Sequence, residues 1–374
     1  MPVFEQLGLY EDLLRISYPN YCSHVYNGST MEYITKFDNP ELMEKMGYDY
    51  VVFSRVELYR LLLSRIPKDK ILFNKRILSV KQDESKVTIR AADNTAYEGC
   101  ILVGADGAYS AVRQNLYKQL EKEGLLPYDD MKQMDIKYSI LVGTTKSLPT
   151  EFHEHLKNSF THNALMIGDD SSYTLTTKVS QDESFRSSGW PAETHQDLIE
   201  KVHDFKTPYG PLRRLIDHTD KDRISKMFLE NKLFKTWYHG RVVLIGDAVH
   251  KLLPSSGQGA VNAMQDAVLL ANCLYEINSW RPEEITTAFK DYKEHRFSHC
   301  RKQFTYSERT ACIMYGQKWW QKLMRNIVCR LLPSSALSRD VNKEASYRPQ
   351  VSFLPQTPKR GTMDVQPQRA SKIR

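Results

Sequence analysis

The residues best suited to chemistry in this sequence are an aspartate and the glycine-rich loop that follows it. Asp247 comes directly after a short apolar run, and Pro254, Gly257, Gly259 and Ala260 lead from the loop into an amphipathic segment. The run predicts a buried strand and the segment a helix, so the carboxylate would lie where ligands bind in open α/β sheets. There it can accept hydrogen bonds from sugar or sugar-alcohol hydroxyls, while the first amides of the helix stabilise negative charge. The competing interpretation is that Asp247 only caps a turn.

A second aspartate repeats this arrangement earlier in the chain. In the run CILVGADGAYSAVR, Asp106 and Gly107 end another apolar stretch, and Ser110 is a candidate N-cap for the helix that follows. Either aspartate alone is explained by an Asx-turn. Two aspartates at strand ends favour a ligand with several hydroxyls and a negative charge, and a flavin, with its ribityl chain and its reduced ring, fits that description.

Arg55 independently indicates an anionic ligand. The segment SRVELYRLLLSRIP, with Ser54 and Glu57 as a capping box, predicts a helix with Arg55 in its first turn. A cation there opposes the helix dipole by roughly a few tenths of a kcal/mol. An anionic cofactor or a surface carboxylate is therefore expected beside it. His250 is interpreted as a turn residue, no metal site is expected, and catalytic residues are left unassigned.

The predicted elements divide the chain into a cofactor-binding domain interrupted by a sheet. Strand-like runs without a glycine loop fill the middle of the sequence and predict a mostly antiparallel sheet that covers a ligand. Residues 18–50, with a hairpin turn at Asn27-Gly28, belong either to the cofactor domain or to this sheet. The predicted segments are the cofactor domain, first part, 1–124; the substrate domain, 125–236; the cofactor domain, second part, 237–280; C-terminal helices, 281–340; and an extended or disordered basic tail, 341–374.

Composition excludes several classes of protein. The 374 residues are 41% hydrophobic, which suits a packed globular protein. The formal charge is +7, but residues 341–374 hold seven Lys or Arg and two Asp or Glu, so the rest is close to neutral and nucleic-acid binding is not expected. Six scattered cysteines indicate neither disulfides nor zinc. The cysteine usage indicates a reducing compartment, and no apolar run is long enough to span a bilayer, so a cytoplasmic protein, soluble or attached to a surface, is predicted.

One segment near the C-terminus suggests contact with a membrane surface. In residues 318–332 apolar side chains, among them Trp319 and Trp320, line one face of a predicted helix, and basic side chains lie elsewhere. Such a helix can lie in a membrane interface. Packing of the same stripe on the body of the protein is the favoured alternative.

The motifs resemble those of the flavin-dependent aromatic hydroxylases, the single-component FAD monooxygenases of the p-hydroxybenzoate hydroxylase type. GADGAYSAVR at 104–113 is similar to the family's Asp-Gly motif. GRVVLIGDAVHKLLPSSGQGAVNAMQDA at 240–267 is similar to its Gly-Asp motif, and SRVELYRLLL at 54–63 to its Arg-x-x-Leu helix. Within the family, the sequence HKLLPSSGQGA most resembles a branch that includes terpenoid epoxidases and other oxygenases of secondary metabolism.

The resemblance implies a fold and a reaction. It implies an α/β protein with a Rossmann-like FAD-binding domain and an inserted, mostly antiparallel substrate domain. NADPH would reduce FAD, O2 would add at flavin C4a, and the hydroperoxide would hydroxylate or epoxidise an apolar or aromatic small molecule. Arg55, Asp106, Gly107, Asp247, Pro254, Gly257, Gly259 and Ala260 would bind the cofactor.

The sequence departs from the family at its beginning. Members open with a strand, a G-x-G-x-x-G loop and a helix that bind the pyrophosphate. The G-x-G of this chain is at Gly257 and Gly259, in the other motif, so we expect the first βαβ unit to be missing and its neighbouring strands to have unpaired edges. A monooxygenase whose sequence has lost its N-terminal unit is the favoured hypothesis. The alternative is a truncated, flavin-deficient remnant or small-molecule-binding protein without oxygenase activity.

Overall fold

The computed structural model describes residues 1–144, 159–161, 172–178, 196–315, 318–327 and 345–367, with internal gaps at 21, 27–30, 39, 197–198, 201, 208–209, 322 and 325–326. The α-helices with assigned bounds are α1 Pro2–Gln6, α2 Tyr10–Arg15, α3 Pro40–Met46, α4 Arg55–Leu63, α5 Ala111–Lys122, α6 Tyr128–Met131, α7 Arg213–Asp217, α8 Gly259–Tyr275 and α9 Pro282–Tyr315. The strands are β1 Ser17–Pro19, β2 Cys22–Tyr26, β3 Tyr33–Asp38, β4 Val51–Phe53, β5 Ile77–Gln82, β6 Val87–Ala91, β7 Ala96–Gly99, β8 Leu102–Gly104, β9 Asp135–Thr144, β10 Ser159–Thr161, β11 Ser172–Lys178, β12 Lys206–Thr207, β13 Gly210–Pro211, β14 Ile224–Leu233, β15 Tyr238–His239, β16 Val242–Leu244 and β17 His250–Lys251.

The sheet that carries both aspartate motifs has the order β15-β16-β8. β8 and β16 are parallel, with Gly104 opposite Leu244, so both strands end at the same edge of the sheet. A Cβ on Gly104 would lie 2.7 Å from a Leu244 methyl carbon, and the close approach of strand and helix therefore requires glycine there. Among the described strands β8 pairs on one side only.

A second, antiparallel sheet has the order β11-β9-β14-β17. β14 shifts its register against β9 between Leu229 and Glu230. Leu229 packs with Ile140, Leu253 and Ala311, which joins this sheet to the loop after β17 and to α9. The β2–β3 hairpin pairs with β10, so residues from the range 18–50 share a sheet with a strand from the predicted substrate region, while the turn at 27–30 lies outside the described residues.

Among the described residues, the largest apolar core lies between the parallel strands, α5 and α9. Val242, Val243 and Leu244 of β16 are fully buried, as are Trp237 before it and Phe289 of α9. Residues from α5 and α8 complete the same cluster. Such burial contributes roughly 1.5–3 kcal/mol per large side chain, and it fixes β16 and α8, the two elements on either side of the glycine loop.

The N-terminal region differs in detail from the sequence prediction. Apolar residues at helical spacing from Leu7 to Ile16 predict one helix through residues 1–17. The structure instead has α1 and α2 as separate helices, because Gly8 between them has a φ of +66°. The helix after Ser54 is present as α4, yet Ser54 makes no capping hydrogen bond through its side chain. Leu58, Leu61 and Leu62 of α4 face the α1–α2 cluster together with Met264 of α8.

Residues 345–367 form an irregular segment that is anchored on the body of the protein. The Asn272 side chain donates to the Gln350 carbonyl and accepts from the Ser352 amide, both at 2.9 Å. Gln6 bonds both backbone groups of Val351 in the same manner. The sequence predicted an extended or disordered tail over 341–374; the described part contains turns and docks across α1 and α8.

The apolar stripe of residues 318–327 is exposed where the structure describes it. Trp319 is 76% exposed, Leu323 51% and Met324 46%. The favoured expectation that this stripe packs on the body of the protein is wrong for these side chains. In the described part of the chain no helix has an apolar run of the length needed to cross a membrane.

Candidate active site

The two aspartate motifs meet at one edge of the parallel strands. Asp106 follows β8 and Asp247 follows β16, and the Ile245 amide donates to the Gly104 carbonyl at 3.0 Å. The adjacent, parallel arrangement of the strands therefore brings together the two turns that the sequence pattern repeats. This edge is also the carboxyl end of the strands, where α/β folds bind ligands.

Asp106 caps the helix that follows it. Its carboxylate accepts from the Ser110 hydroxyl at 2.5 Å and from the Val112 amide at 3.1 Å. Ser110 in turn accepts from the Arg113 amide at 2.9 Å, which is the predicted N-cap. Asp106 is exposed, and Gly107 beside it has a φ of +81° with open space where a Cβ would point. The turn is therefore held rigidly while its backbone faces solvent.

Asp247 lies in a tight turn packed against α8. Gly246 has a φ of +61°, and a Cβ at this residue would lie 3.0 Å from the Cβ of Ala263. The Asp247 carboxylate accepts from Lys251 Nζ at 2.6 Å, and its side chain is 33% exposed. One of its two oxygens is thus paired with a cation, and the carboxylate remains accessible to a ligand.

A buried arginine joins the two turns. Arg113 donates to the Ala108 carbonyl at 2.6 Å and to the Ala248 carbonyl at 2.7 Å. Its guanidinium also lies 4.3 Å from the centre of the Phe234 ring, a cation–π distance. Burial lowers the pKa of this arginine. Since its two donors reach backbone on either side, Arg113 sets the separation of the Asp106 and Asp247 turns.

The glycine loop opens α8 toward free space. Pro254 begins a short 3-10 turn, Gly257 closes it with a φ of +64°, and α8 starts at Gly259, followed by Ala260. A Cβ on Gly257 or Gly259 would meet no atom within 4 Å. The first amides of α8 and the positive end of its dipole therefore face an open space that suits an anionic group.

Arg55 is the predicted site residue furthest from the strand ends in the sequence. It lies in the first turn of α4, whose apolar side packs with Met264 of α8, and its side chain is exposed. No ion pair to it is present among the described residues. A surface carboxylate, the alternative partner considered for this cation, is thus not found in that part of the chain.

A buried cluster of charges lies behind the Gly246 turn. Asp266 of α8 accepts from the Gly246 amide at 2.8 Å, from His250 Nε2 at 2.5 Å and from Arg296 Nε at 2.7 Å. Arg296 also donates to the Asn262 side chain at 2.8 Å. The side chains of His250, Asp266 and Arg296 are completely buried. His250 is therefore part of an internal ion-pair cluster, and its interpretation as a turn residue was incomplete.

The ionisation of this cluster follows from its pairing. Burial lowers the pKa of His250, but the Asp266 carboxylate more than offsets this and the pKa is raised to about 10. Burial raises the pKa of Asp266, and the two cations reverse that effect, so the net pKa is lowered. Asp266 thus carries its charge at neutral pH with a cation on each side.

The same cluster contains residue types that bind metals, but its carboxylate oxygens are already hydrogen-bonded. Ligand atoms of His250, Asp266 and Cys300 lie within 4.8 Å of one another. Both Asp266 oxygens already accept hydrogen bonds, and the Arg296 guanidinium beside them would repel a metal cation. We interpret the group as an ion-pair cluster.

Comparison with known proteins agrees with the motifs. The sequence profile of the FAD binding domain family matches residues 1–303. The FAD-dependent monooxygenase olcE of Penicillium canescens is 27% identical over 80% of this chain and 68% of its own length. The FAD-dependent monooxygenase ausM of Penicillium brasilianum is 27% identical over 94% of this chain and 77% of its own.

Solved structures share the fold. HpxO of Klebsiella pneumoniae, complexed with FAD and uric acid, has a TM-score of 0.71 at 21% identity, covering 92% of this chain and 84% of that one. The p-nitrophenol 4-monooxygenase PnpA of Pseudomonas putida has a TM-score of 0.68 at 18% identity, covering 92% and 84%. The α/β fold predicted from the sequence is confirmed.

The family match covers both aspartate motifs, the glycine loop and the helices that position them. The cofactor predicted from those motifs, FAD, is the one that the family binds. The chain belongs to the FAD-binding domain family of flavin-dependent monooxygenases.

Proposed function

We propose that this protein is an NAD(P)H-dependent FAD monooxygenase that inserts one atom of O2 into an apolar or aromatic small molecule. The observation that carries the proposal is the meeting of three elements at one edge of the fold: the Asp106 turn, the Asp247 turn and the open start of α8. The curated relatives olcE and ausM, both named FAD-dependent monooxygenases, support the same activity.

The residues present fit the ribityl and ring portion of FAD. Gly107, Gly257 and Gly259 border open space, so a planar or chain-like group can approach the backbone there without a side chain in the way. Asp247 offers a carboxylate oxygen to a ribityl hydroxyl. The amides of Gly259 and Ala260 offer stabilisation to the pyrimidine side of the ring, where the reduced flavin carries negative charge.

Two cationic side chains, Lys251 and Arg55, are expected to contribute to binding of the cofactor. Lys251 holds Asp247 in place through one carboxylate oxygen and leaves the other available. Arg55, exposed on a helix that packs against α8, is expected to pair with an anionic part of FAD. Bound FAD would supply the redox chemistry, accepting a hydride from NAD(P)H and activating O2. The protein's contribution is to orient the ring and to exclude water.

The substrate is expected between the antiparallel sheet and the glycine loop. The contact of Leu229 and Ile140 with Leu253 places this sheet directly against the residue that precedes Pro254. Tyr109 of the Asp106 turn donates to Glu230 of β14 at 2.6 Å, a second tie between the cofactor edge and the sheet. An apolar or aromatic substrate is the one that the family resemblance implies, in keeping with an oxygenase of secondary metabolism.

The experiment is a titration of the purified chain with FAD, followed by flavin fluorescence and the visible spectrum. Saturable binding is expected, weakened by Asp247→Ala and unchanged by Glu121→Gln, which removes an exposed carboxylate far along α5. NADPH oxidation stimulated by aromatic or prenylated compounds, with 18O from 18O2 appearing in the product, would establish the reaction. Failure of the wild-type chain to bind added FAD would contradict the proposal and favour the small-molecule-binding alternative.

We also propose that the exposed stripe at 318–327 contacts a membrane surface. Trp319 and Trp320 are 76% and 43% exposed, and Lys318 next to them is exposed as well. Tryptophan beside a basic side chain suits the headgroup region of a bilayer. Co-sedimentation with anionic liposomes, lost in the double variant Trp319→Ser and Trp320→Ser, is the expected result. Equal sedimentation of the two proteins would contradict it.

A further inference from the structure

The completely buried carboxylate of Asp266 contacts the backbone of the Asp247 turn. It lies in the middle of α8, and its Oδ2 accepts from the Gly246 amide at 2.8 Å. Gly246 is the residue whose left-handed backbone turns the chain from β16 toward Asp247. A hydrogen bond at this amide therefore restrains the turn and, with it, the direction of the Asp247 side chain.

Asp266 is itself held from two other directions. His250 donates to the same oxygen as Gly246, and Arg296 donates to the other oxygen. Arg296 is fixed in turn by Asn262 and by Gln265 of α8, at 2.8 and 3.1 Å. Because every one of these groups lies on β17, α8 or α9, the carboxylate cannot move without displacing an element of the core.

The charge balance explains why a carboxylate is needed at this position. Two cations, His250 and Arg296, lie beside Asp266, and burial of an unpaired charge is costly. An amide in place of the carboxylate could still accept from Gly246, but it would present an N–H group to one of the cationic donors. The ionised carboxylate can therefore accept hydrogen bonds from His250, Arg296 and the Gly246 amide at the same time.

We propose that Asp266 is a positioning residue for the flavin-facing Gly246–Asp247 turn, acting through its hydrogen bond to the Gly246 amide. It does not contact the cofactor, and its effect on FAD is transmitted through Asp247, the residue proposed to bind the ribityl chain. The inference rests on the proposed function for its consequence, while the restraint of the turn exists in the cofactor-free protein.

The test compares Asp266→Asn and Asp266→Glu with Phe289→Leu. Phe289 is completely buried in the same core and offers no polar group to the turn, so its variant reports general loss of stability. Asp266→Glu keeps the charge but moves the carboxylate by one methylene, and it serves as the second variant should Asp266→Asn not fold. The first readout is amide hydrogen exchange of a peptide covering 242–252 in cofactor-free protein, and the second is the Kd for FAD.

Both Asp266 variants are expected to exchange faster in 242–252 and to bind FAD about tenfold more weakly, the loss of one hydrogen bond. Phe289→Leu is expected to leave the Kd for FAD unchanged and to raise exchange in 242–252 no more than in the rest of the protein. Equal exchange in 242–252 for Asp266→Glu and Phe289→Leu would overturn the inference. If the wild type fails to bind FAD, the proposed function fails, and the exchange comparison still decides whether Asp266 restrains the turn.

Discussion

Replacement of Arg113 by methionine is expected to destabilise the protein and to uncouple its two aspartate turns. The guanidinium donates to carbonyls at Ala108 and Ala248 that are 2.6 and 2.7 Å away, and Phe234 lies beneath it. Methionine fills similar space but leaves both carbonyls without this donor. Each such loss costs about 1–3 kcal/mol, and the cation–π contact adds about 1 kcal/mol.

Part of this loss is offset, because methionine does not carry the desolvation cost of a buried guanidinium charge. The expected net loss in the free energy of unfolding is about 3–5 kcal/mol. Arg113→Lys, whose ammonium reaches one carbonyl at a time, should lose about half as much. FAD affinity should fall in both variants, because the Asp106 and Asp247 turns are no longer held at a fixed separation.

The assay is equilibrium unfolding in urea, followed by the fluorescence of the buried Trp237. Lys118→Met is the matched control, since Lys118 is exposed on the same helix and its variant should stay within about 0.5 kcal/mol of the wild type. If Arg113→Met unfolds within about 1 kcal/mol of Lys118→Met, the joining role assigned to Arg113 is refuted.

Three further predictions follow from the same geometry. Gly246→Ala should cost about 1–3 kcal/mol because of its left-handed backbone and the Cβ contact, while Gly124→Ala, also left-handed but with open space around it, should cost less in the same unfolding assay. The pKa of His250 rises from 6.5 to about 10 on folding, so its stabilisation is complete below 6.5 and is lost as pH rises through about 10. Unfolding free energy should therefore decline over that window, and His250→Gln should flatten the decline; an unchanged pH profile would contradict the ion pair. Asn272→Ala removes both hydrogen bonds to the docked C-terminal segment, and limited proteolysis should then cleave residues 345–367 faster than in the wild type.

The sequence predicted those parts of the site that depend on local pattern. A strand followed by Asp-Gly or Gly-Asp and then a helix is a local signal, and Asp106, Asp247 and the Gly257 loop were found from it. The capping role of Ser110 was also readable, because its partner is three residues away. The parallel pairing of the two strands joins residues about 140 positions apart and was not part of the prediction.

Contacts between distant residues could not be read in this way. Arg113 and Ala248 are 135 positions apart, and Asp266 and Arg296 are 30 apart on different helices. No local periodicity marks either pair. Asp266 shares one face of α8 with Asn262, Leu270 and Cys273, and a carboxylate at helical spacing from apolar residues was the one signal that could have indicated a buried partner.

Two predictions made from the spacing of apolar residues were wrong, for physical reasons that the spacing does not reveal. Apolar residues at helical spacing run through residues 1–17, but Gly8 adopts a left-handed conformation and divides the helix. The apolar stripe at 318–327 has the spacing of a packed helix face, yet Trp319 and Leu323 are exposed. Periodicity identifies an apolar face and does not identify what covers it.

The most direct test of the central claim is hydrogen exchange of the wild-type chain with and without FAD. FAD is expected to slow exchange in peptides covering 104–113 and 246–260, the two aspartate turns and the start of α8, and to leave β5–β7 unchanged. Binding without protection in these two regions, or with protection confined to another part of the molecule, would contradict the assignment of the FAD site to this edge of the fold.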